Sequence, residues 1–405
     1  MDFDDTPDEA AWRSQVRAFL EEHRDELGSR GTEKAFDADV SRTRQAMLYD
    51  AGYVGVTWPE EAGGRGGTPM QQAIIDQEMA RLGIPGLVNL IGIGMCGPTV
   101  IVHGSEDQKS RYLKRLLRAD DIWCQLFSEP ASGSDLAALR TKAVQEADGG
   151  WRVSGQKVWT TLAHLADYGI LLTRTDPDVA KHRGLTMFVV DMKAPGVTVR
   201  PLRQMSGGAD FNEVFFDDVV IPDSERLGDV GDGWRVALTT LMSERLSLGG
   251  GGTEIGLGAE AVARHVAAHI GQLSTERQVL ARQTLGRGMV AALGTRYTGY
   301  RQLSKISRGD FPGPEASAGK LSSTRSARDL ADLAVRVLGD DALVASGPEG
   351  DTWQGLQAVL PGMAIAGGTD QVLRNIIGER VLGLPAEPRA DKNVTFKESL
   401  AASGA

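Results

Sequence analysis

Apolar positions along the chain follow two different periods, and the switches between them divide it into three regions. Across residues 1–121 the spacing is helical. Trp12, Val16, Phe19 and Leu20 recur three or four apart, the interval that brings side chains onto one helix face. Thr6 suits the cap of this helix and Pro7 its first turn, and Asp8 and Glu9 complement the positive end of its dipole. Further helices are predicted over about 70–82 (MQQAIIDQEMARL) and 105–118 (SEDQKSRYLKRLLR). Between 122 and 233 the runs shorten and become rich in Val, Thr, Trp and Phe: WRVSGQKVWTT, YGILLTRT, LTMFVVDM, GVTVRPL and NEVFFDDVVIP. Gly, Asp and Pro separate them, which predicts an antiparallel β domain, barrel or sandwich. From 234 to 385 long helical patterns return, among them WRVALTTLMSERL and ARDLADLAVRVLG, long enough for a helix bundle. The tail after Pro385 is polar and is expected to fray.

Composition narrows the class. The chain has 405 residues with 41% hydrophobic and 24% charged, values of an ordinary globular protein. A net charge of −10 argues against nucleic acid or an anionic membrane as the main partner. The most apolar stretch, LVNLIGIGMCGPTVIV (87–102), contains three glycines and a proline; it predicts a buried helix or helix pair, with no membrane span. Cys96 and Cys124 have no nearby histidine and are read as two buried thiols of a cytoplasmic protein, with no metal site. The N-terminus MDFDDTPDEAAW has no apolar core and does not read as a signal peptide.

Several segments carry candidate chemistry, each beside a plainer reading. LFSEPASGSD (126–135) offers small residues and hydroxyls for close approach to a ligand, or forms an ordinary turn. In GQKVWTT (155–161), Trp159 and Thr161 alternate onto one strand face; the indole either covers a flat ring or fills the core. WPEEAGGRGGT (58–68) reads as a structural turn. In AIAGGTDQVLRN (364–375), Thr369 or Asp370 caps a new helix whose free N–H groups suit a phosphate or carbonyl oxygen, or simply close a helix–helix turn. His265 and His269, four apart in HVAAH, lack the glutamate of a zinc-protease helix and are expected on a solvated face. Glu244 and Arg245 stand in the apolar LMSERLSLGGGG, where a structural ion pair is the plainer reading.

The order and spacing of these segments resemble the acyl-CoA dehydrogenase family over about residues 10–385. The resemblance implies a multidomain α+β fold: an N-terminal α-helical domain (1–121), a central antiparallel β domain (122–233) and a C-terminal four-helix bundle with a tail (234–405). It implies oxidation of an acyl-CoA at Cα–Cβ to the trans-2-enoyl-CoA, with hydride passing to N5 of an FAD and electrons onward to an electron-transfer flavoprotein. Matched by position, Gln125, Phe127, Ser128, Gly133, Ser134, Trp159, Thr161, Thr369 and Gln371 become cofactor contacts. Ser134, Arg245, Gly367 and Gly368 become substrate contacts, the last two through a backbone N–H at the thioester oxygen. Many members carry their catalytic glutamate directly before the C-terminal Gly-Thr; here that position is Gly367. A subset resembling the isovaleryl and long-chain enzymes carries it on the earlier bundle helix, a position that matches Glu244.

The chain departs from the family in two places. The R-x-x-F-G segment has no clear match in GQLSTERQVLARQ (271–283), and VASGPEGDTW (344–353) stands where a Q-x-x-G-G stretch often holds the adenine end. Bacterial members that form two-chain heterotetramers show such losses. The assembly is therefore expected to be a homotetramer or a heterotetramer with a related subunit, and the alternative function is that of a half-site subunit.

Overall fold

A computed structural model describes residues 5–28, 36–249, 259–306, 308, 313–339, 348–388, 391 and 394–402. By internal contacts the chain forms two compact units. One holds Met1–Leu202, Ala209–Glu244 and Glu387–Ala405; the other holds Arg203–Gly208 and Arg245–Ala386.

The first unit opens with helices α1 (Pro7–Glu22), α2 (Arg24–Leu27), α3 (Ala38–Asp50), α4 (Pro69–Leu82), α5 (Gly97–His103) and α6 (Glu106–Arg118). Thr6, Thr68 and Ser105 cap α1, α4 and α6 through reciprocal capping boxes with Glu9, Gln71 and Gln108, satisfying two otherwise unpaired N–H groups at each start. Residues Gly92–Cys96 form a turn of π-helix running into α5. This segment packs so closely that a Cβ on Gly97 would lie 2.0 Å from the Trp58 ring. Cys96 and Cys124 are both buried and unoxidised, and the Cys96 thiol donates to the Cys124 carbonyl at 3.5 Å. The 58–68 stretch forms a tight turn with Gly63 and Gly66 at positive φ.

Eight strands follow: β1 (Trp123–Leu126), β2 (Lys142–Gln145), β3 (Trp151–Thr161), β4 (Tyr168–Arg174), β5 (Leu185–Asp191), β6 (Val197–Leu202), β7 (Phe211–Ile221) and β8 (Arg226–Leu227). The sheet runs β6-β7-β3-β2-β4-β5-β8, with β1 pairing β4. It is antiparallel except where β1 and, by one residue pair, β2 lie parallel to β4. The chain reverses once in the β2–β3 hairpin and again between β3 and β4, so β4 points the way β1 and β2 do. Strands β4 and β5 read as unbroken apolar runs because both faces are covered. Ile170, Leu172, Met187 and Val189 join the core of the N-terminal helices, whereas Leu171, Phe188 and Val190 join Trp151, Val153, Val214 and Phe216.

Helix α7 (Gly233–Gly249) leaves the sheet, with Thr240 bonded to Thr99 at 2.8 Å and Thr239 to His103 at 2.8 Å. The second unit is helical: α8 (Ala259–His269), α9 (Thr275–Ile306), α10 (Ser317–Leu338), α11 (Pro348–Met363) and α12 (Asp370–Arg380). Its core centres on α10, where Ala327, Leu330, Ala331, Leu333, Ala334 and Val337 are buried at helical spacing. A last helix, α13 (Phe396–Ala402), lies in the first unit. It differs from the frayed tail expected: Thr395 and Glu398 form a capping box, and Phe396 is buried. Among the described residues no helix is long and apolar enough to cross a membrane.

Candidate active site

The segment after β1 is held in place by a buried ion pair. Gln125 is half-buried within β1, paired with Ile170 of β4. Phe127 is buried, and the Ser128 carbonyl accepts the Val158 N–H at 2.9 Å. The fully buried Lys157 ammonium donates to the Phe127 carbonyl at 3.0 Å and to the Glu129 carboxylate at 2.8 Å. Glu129 also accepts the N–H groups of Arg140 (2.6 Å) and Thr141 (2.9 Å). Burial pushes the Lys157 pKa down to about 8, offset in part by Glu129. Burial works to raise that of Glu129, but Lys157 and the donors around it hold the carboxyl below its ordinary value. Both residues lie inside the motifs singled out in the sequence, but their pairing across 28 positions carries no local pattern.

Directly after Lys157 the ladder slips. Lys157 opposes Val214 and Thr160 opposes Asn212, so β3 carries one residue more than β7 over this interval. Trp159 sits in the resulting bulge at φ +59° and is 60% exposed, its ring edge-on to Phe211 at 6.1 Å. A non-glycine residue in the left-handed region costs on the order of 1–3 kcal/mol, and such positions gather at functional sites. The bulge, rather than simple strand alternation, turns the indole outward. Thr161 is half-buried opposite Phe211, and the Thr160 hydroxyl between them is buried without a hydrogen-bond partner among the described residues. An exposed indole beside hydroxyl groups suits a flat ring with a polar rim.

The tip of the 127–141 loop is open. Gly133 and Ser134 are exposed, and a Cβ on Gly133 would meet nothing within 4 Å. Below the tip, the Ser132 hydroxyl donates to the Asp135 carbonyl at 2.6 Å, and Ser132 and Glu129 exchange two backbone bonds.

The remaining candidates lie elsewhere on the chain. Glu244 is half-buried on α7. The side chain of Arg245 and the rest of the glycine run, 250–252, lie outside the described residues. In the second unit, Gly367 and Gly368 take φ +66° and +88°, conformations that favour glycine. Thr369 then caps α12, its hydroxyl accepting the Val372 N–H at 3.1 Å, and Gln371 is exposed in the first turn. Lys320 of α10, not foreseen from sequence, fastens this turn by donating to the Gly368 carbonyl (3.1 Å) and to Asp370 (2.9 Å). The described geometry thus gathers Phe127, Ser128, Trp159 and Thr161 around the β1–β3 junction of one unit. It gathers Gly367, Gly368, Thr369 and Gln371 at the α12 start of the other.

The expectation for His265 is corrected. It is buried, donating through Nε2 to the Ala334 carbonyl (3.3 Å) and accepting the Trp353 indole N–H at Nδ1 (3.2 Å). A core residue 88 positions away supplies the partner, which a four-residue spacing cannot reveal.

Comparison with known proteins converges on one family. Residues 6–120, 124–219 and 231–382 match the descriptions "Acyl-CoA dehydrogenase, N-terminal domain", "middle domain" and "C-terminal domain". The Mycobacterium tuberculosis acyl-CoA dehydrogenase FadE34 is 41% identical over 342 residues; the match covers 84% of this chain, which spans about half (46%) of that protein's length. Two solved structures each have a TM-score of 0.79 and cover 96% of this chain and 100% of theirs. They are the Tcur3481-Tcur3483 steroid ACAD, at 26% identity, and the ChsE4-ChsE5 complex from Mycobacterium tuberculosis, at 30%. With all three domain descriptions matched in order, the chain belongs to the acyl-CoA dehydrogenase family, flavin-dependent oxidoreductases acting on acyl-CoA.

Proposed function

We propose that the chain catalyses α,β-dehydrogenation of an acyl-CoA thioester to the trans-2-enoyl-CoA, with Glu244 as the base that removes the α proton. The observation that carries the assignment is the backbone at Gly367. The alternative position for the family's glutamate is here a left-handed glycine at φ +66°, where no carboxylate stands. Glu244, half-buried on a regular helix, is the family-matched acid that remains. Its carboxylate accepts the α proton while donors at the thioester oxygen stabilise the enolate-like charge. Backbone N–H groups of the Gly367–Gly368 turn, fastened by Lys320, are assigned that task.

The residues present fit an FAD. Trp159 supplies an exposed aromatic face, Thr161 a hydroxyl beside it, and Gln125, Phe127, Ser128, Gly133 and Ser134 the adjoining loop; Thr369 and Gln371 are assigned as further contacts. When bound, the flavin supplies the acceptor for the β hydrogen and its electron pair. Ser134 and Arg245 are assigned to the acyl-CoA. The relative described as a steroid ACAD favours a bulky, ring-bearing acyl group, and an electron-transfer flavoprotein is the proposed electron acceptor.

A second reading, a half-site subunit of a heterotetramer, is favoured by the ChsE4-ChsE5 complex together with the two missing adenine-side motifs. A panel of straight-chain and steroid side-chain acyl-CoAs, followed by flavin bleaching, tests substrate and function together. Glu244→Gln is expected to retain flavin and lose about 10²–10⁴-fold in the rate of bleaching. Near-normal bleaching by this variant would overturn Glu244 as the base.

A further inference from the structure

We propose that the C-terminal residues Asp391 and 394–402 form a clasp that positions the Gly133–Ser134 tip for the acyl-CoA, acting through Arg174 and Lys181. The proposal rests on the reading of Ser134 as an acyl-CoA contact.

Three stretches of the first unit meet at Arg174. Its guanidinium donates to the carbonyls of Ala137 (2.5 Å) and Leu139 (3.5 Å), on the descending side of the 127–141 loop, and to the carbonyl of Lys181 (2.6 Å) in the β4–β5 turn. The Phe396 ring covers the guanidinium at 3.8 Å, and both side chains are almost wholly buried. The ring does more than add a cation–π contact. It keeps water from the N–H groups that hold the loop carbonyls, so losing it lets solvent compete for them.

A second tie runs outside the first. The Lys181 ammonium holds both carboxylate oxygens of Asp135 (2.9 and 2.8 Å), the residue after Ser134, and also pairs with Asp391 of the tail. The tail is fastened in turn. Phe396 N–H donates to the Val179 carbonyl (2.8 Å) and Lys397 N–H to that of Pro177 (3.0 Å), and the capping box of Thr395 and Glu398 starts α13 at this point. The tip, which has no packing of its own at Gly133, is therefore held between the Glu129–Lys157 pair on one side and the tail on the other.

Amide hydrogen exchange and steady-state kinetics on the full chain test the clasp. Phe396→Ala is expected to speed exchange across 130–139 by about tenfold, leaving β4 and β5 protected. It should raise KM for the acyl-CoA by about threefold or more with kcat little changed. Phe396→Tyr, which keeps the ring, should restore both values. Asp391→Asn, a milder surface change, should move both in the same direction by less. Unchanged exchange at 130–139 in both Phe396→Ala and Asp391→Asn overturns the clasp. Faster exchange with unchanged KM overturns its role in substrate positioning. Ser134→Ala, with the clasp intact, tests the underlying reading separately: an unchanged KM there removes Ser134 as a contact, while the exchange data still decide whether the tail orders the loop.

Discussion

Lys157 is the residue on which the local geometry of the proposed flavin loop turns. An ammonium removed from water is costly, and it is kept because a carboxylate and a carbonyl from the loop surround it. Removing one member of such a pair strands the other charge. Lys157→Met is therefore expected to destabilise the protein by about 3–5 kcal/mol and to lower its flavin content. The double change Lys157→Met with Glu129→Gln should recover a substantial part of that stability, because no naked charge remains, although the loop loses its ammonium tie. Denaturant unfolding of the two variants decides the matter. If the double variant is no more stable than the single one, the stranded charge is not the cause. Trp159 presents the same economy in backbone form, an unfavourable φ maintained by the Asn212 side chain, which donates to the Thr160 carbonyl at 3.0 Å within the bulge.

Among the elements, α1 and α4 are tied by a buried acid. Glu78 of α4 is almost fully buried and accepts from Arg13 (3.2 Å) and Arg17 (3.0 and 2.9 Å) of α1 and from Arg81 (2.8 Å) of its own helix. The Arg17 hydrogen bonds, with those of Arg81 and Arg13, outweigh burial and hold its pKa at about 2. A carboxyl whose folded pKa lies below its unfolded value contributes stability that is complete above the unfolded pKa, about 4.5, and is lost as pH falls through the folded value. The contribution is on the order of 3 kcal/mol. Melting temperature should fall between pH 4.5 and 2, and Glu78→Gln should lower it at neutral pH while flattening that acid limb. A variant with an unaltered acid limb would show that other carboxylates govern it.

The elements also show what the sequence could express. The helix starts at Thr6 and Ser105 are legible because capping is local: donor and acceptor fall within four residues, joined by Pro7 in α1. Strands β4 and β5 were legible as apolar runs, but the parallel pairing of β1 with β4 was not, since register is set by partners more than forty residues away. The resemblance singles out Phe127, Ser128 and Trp159 as candidates, yet it does not show the bulge or the Lys157–Glu129 tie, which depend on long-range contacts. His265 was misplaced for the same reason. The α13 start was missed although its signal, Thr395 followed three residues later by Glu398, stood in the sequence.

For the whole molecule, the question is whether one kind of chain completes the cofactor site. Gly367 and the half-buried Glu244 favour a working base on this chain. The absent R-x-x-F-G and Q-x-x-G-G segments predict a weaker hold on the adenine end of an FAD, and one of its solved relatives is the ChsE4-ChsE5 complex. A site that keeps its chemistry but lacks part of its cofactor grip is expected to bind flavin weakly alone and more tightly with a related subunit, because a partner that favours the loaded form shifts the equilibrium by mass action. The purified chain alone should therefore carry less than one flavin per chain. Co-expression with a related subunit should raise that ratio, lift the melting temperature and produce a heterotetramer by native mass spectrometry. A Glu244→Gln chain in the same assembly should keep the raised flavin content and lose bleaching, which separates the partner's contribution from the base's. A chain that alone carries one flavin per copy, bleached at full rate by an acyl-CoA, would instead establish a self-sufficient enzyme and overturn the two-chain reading.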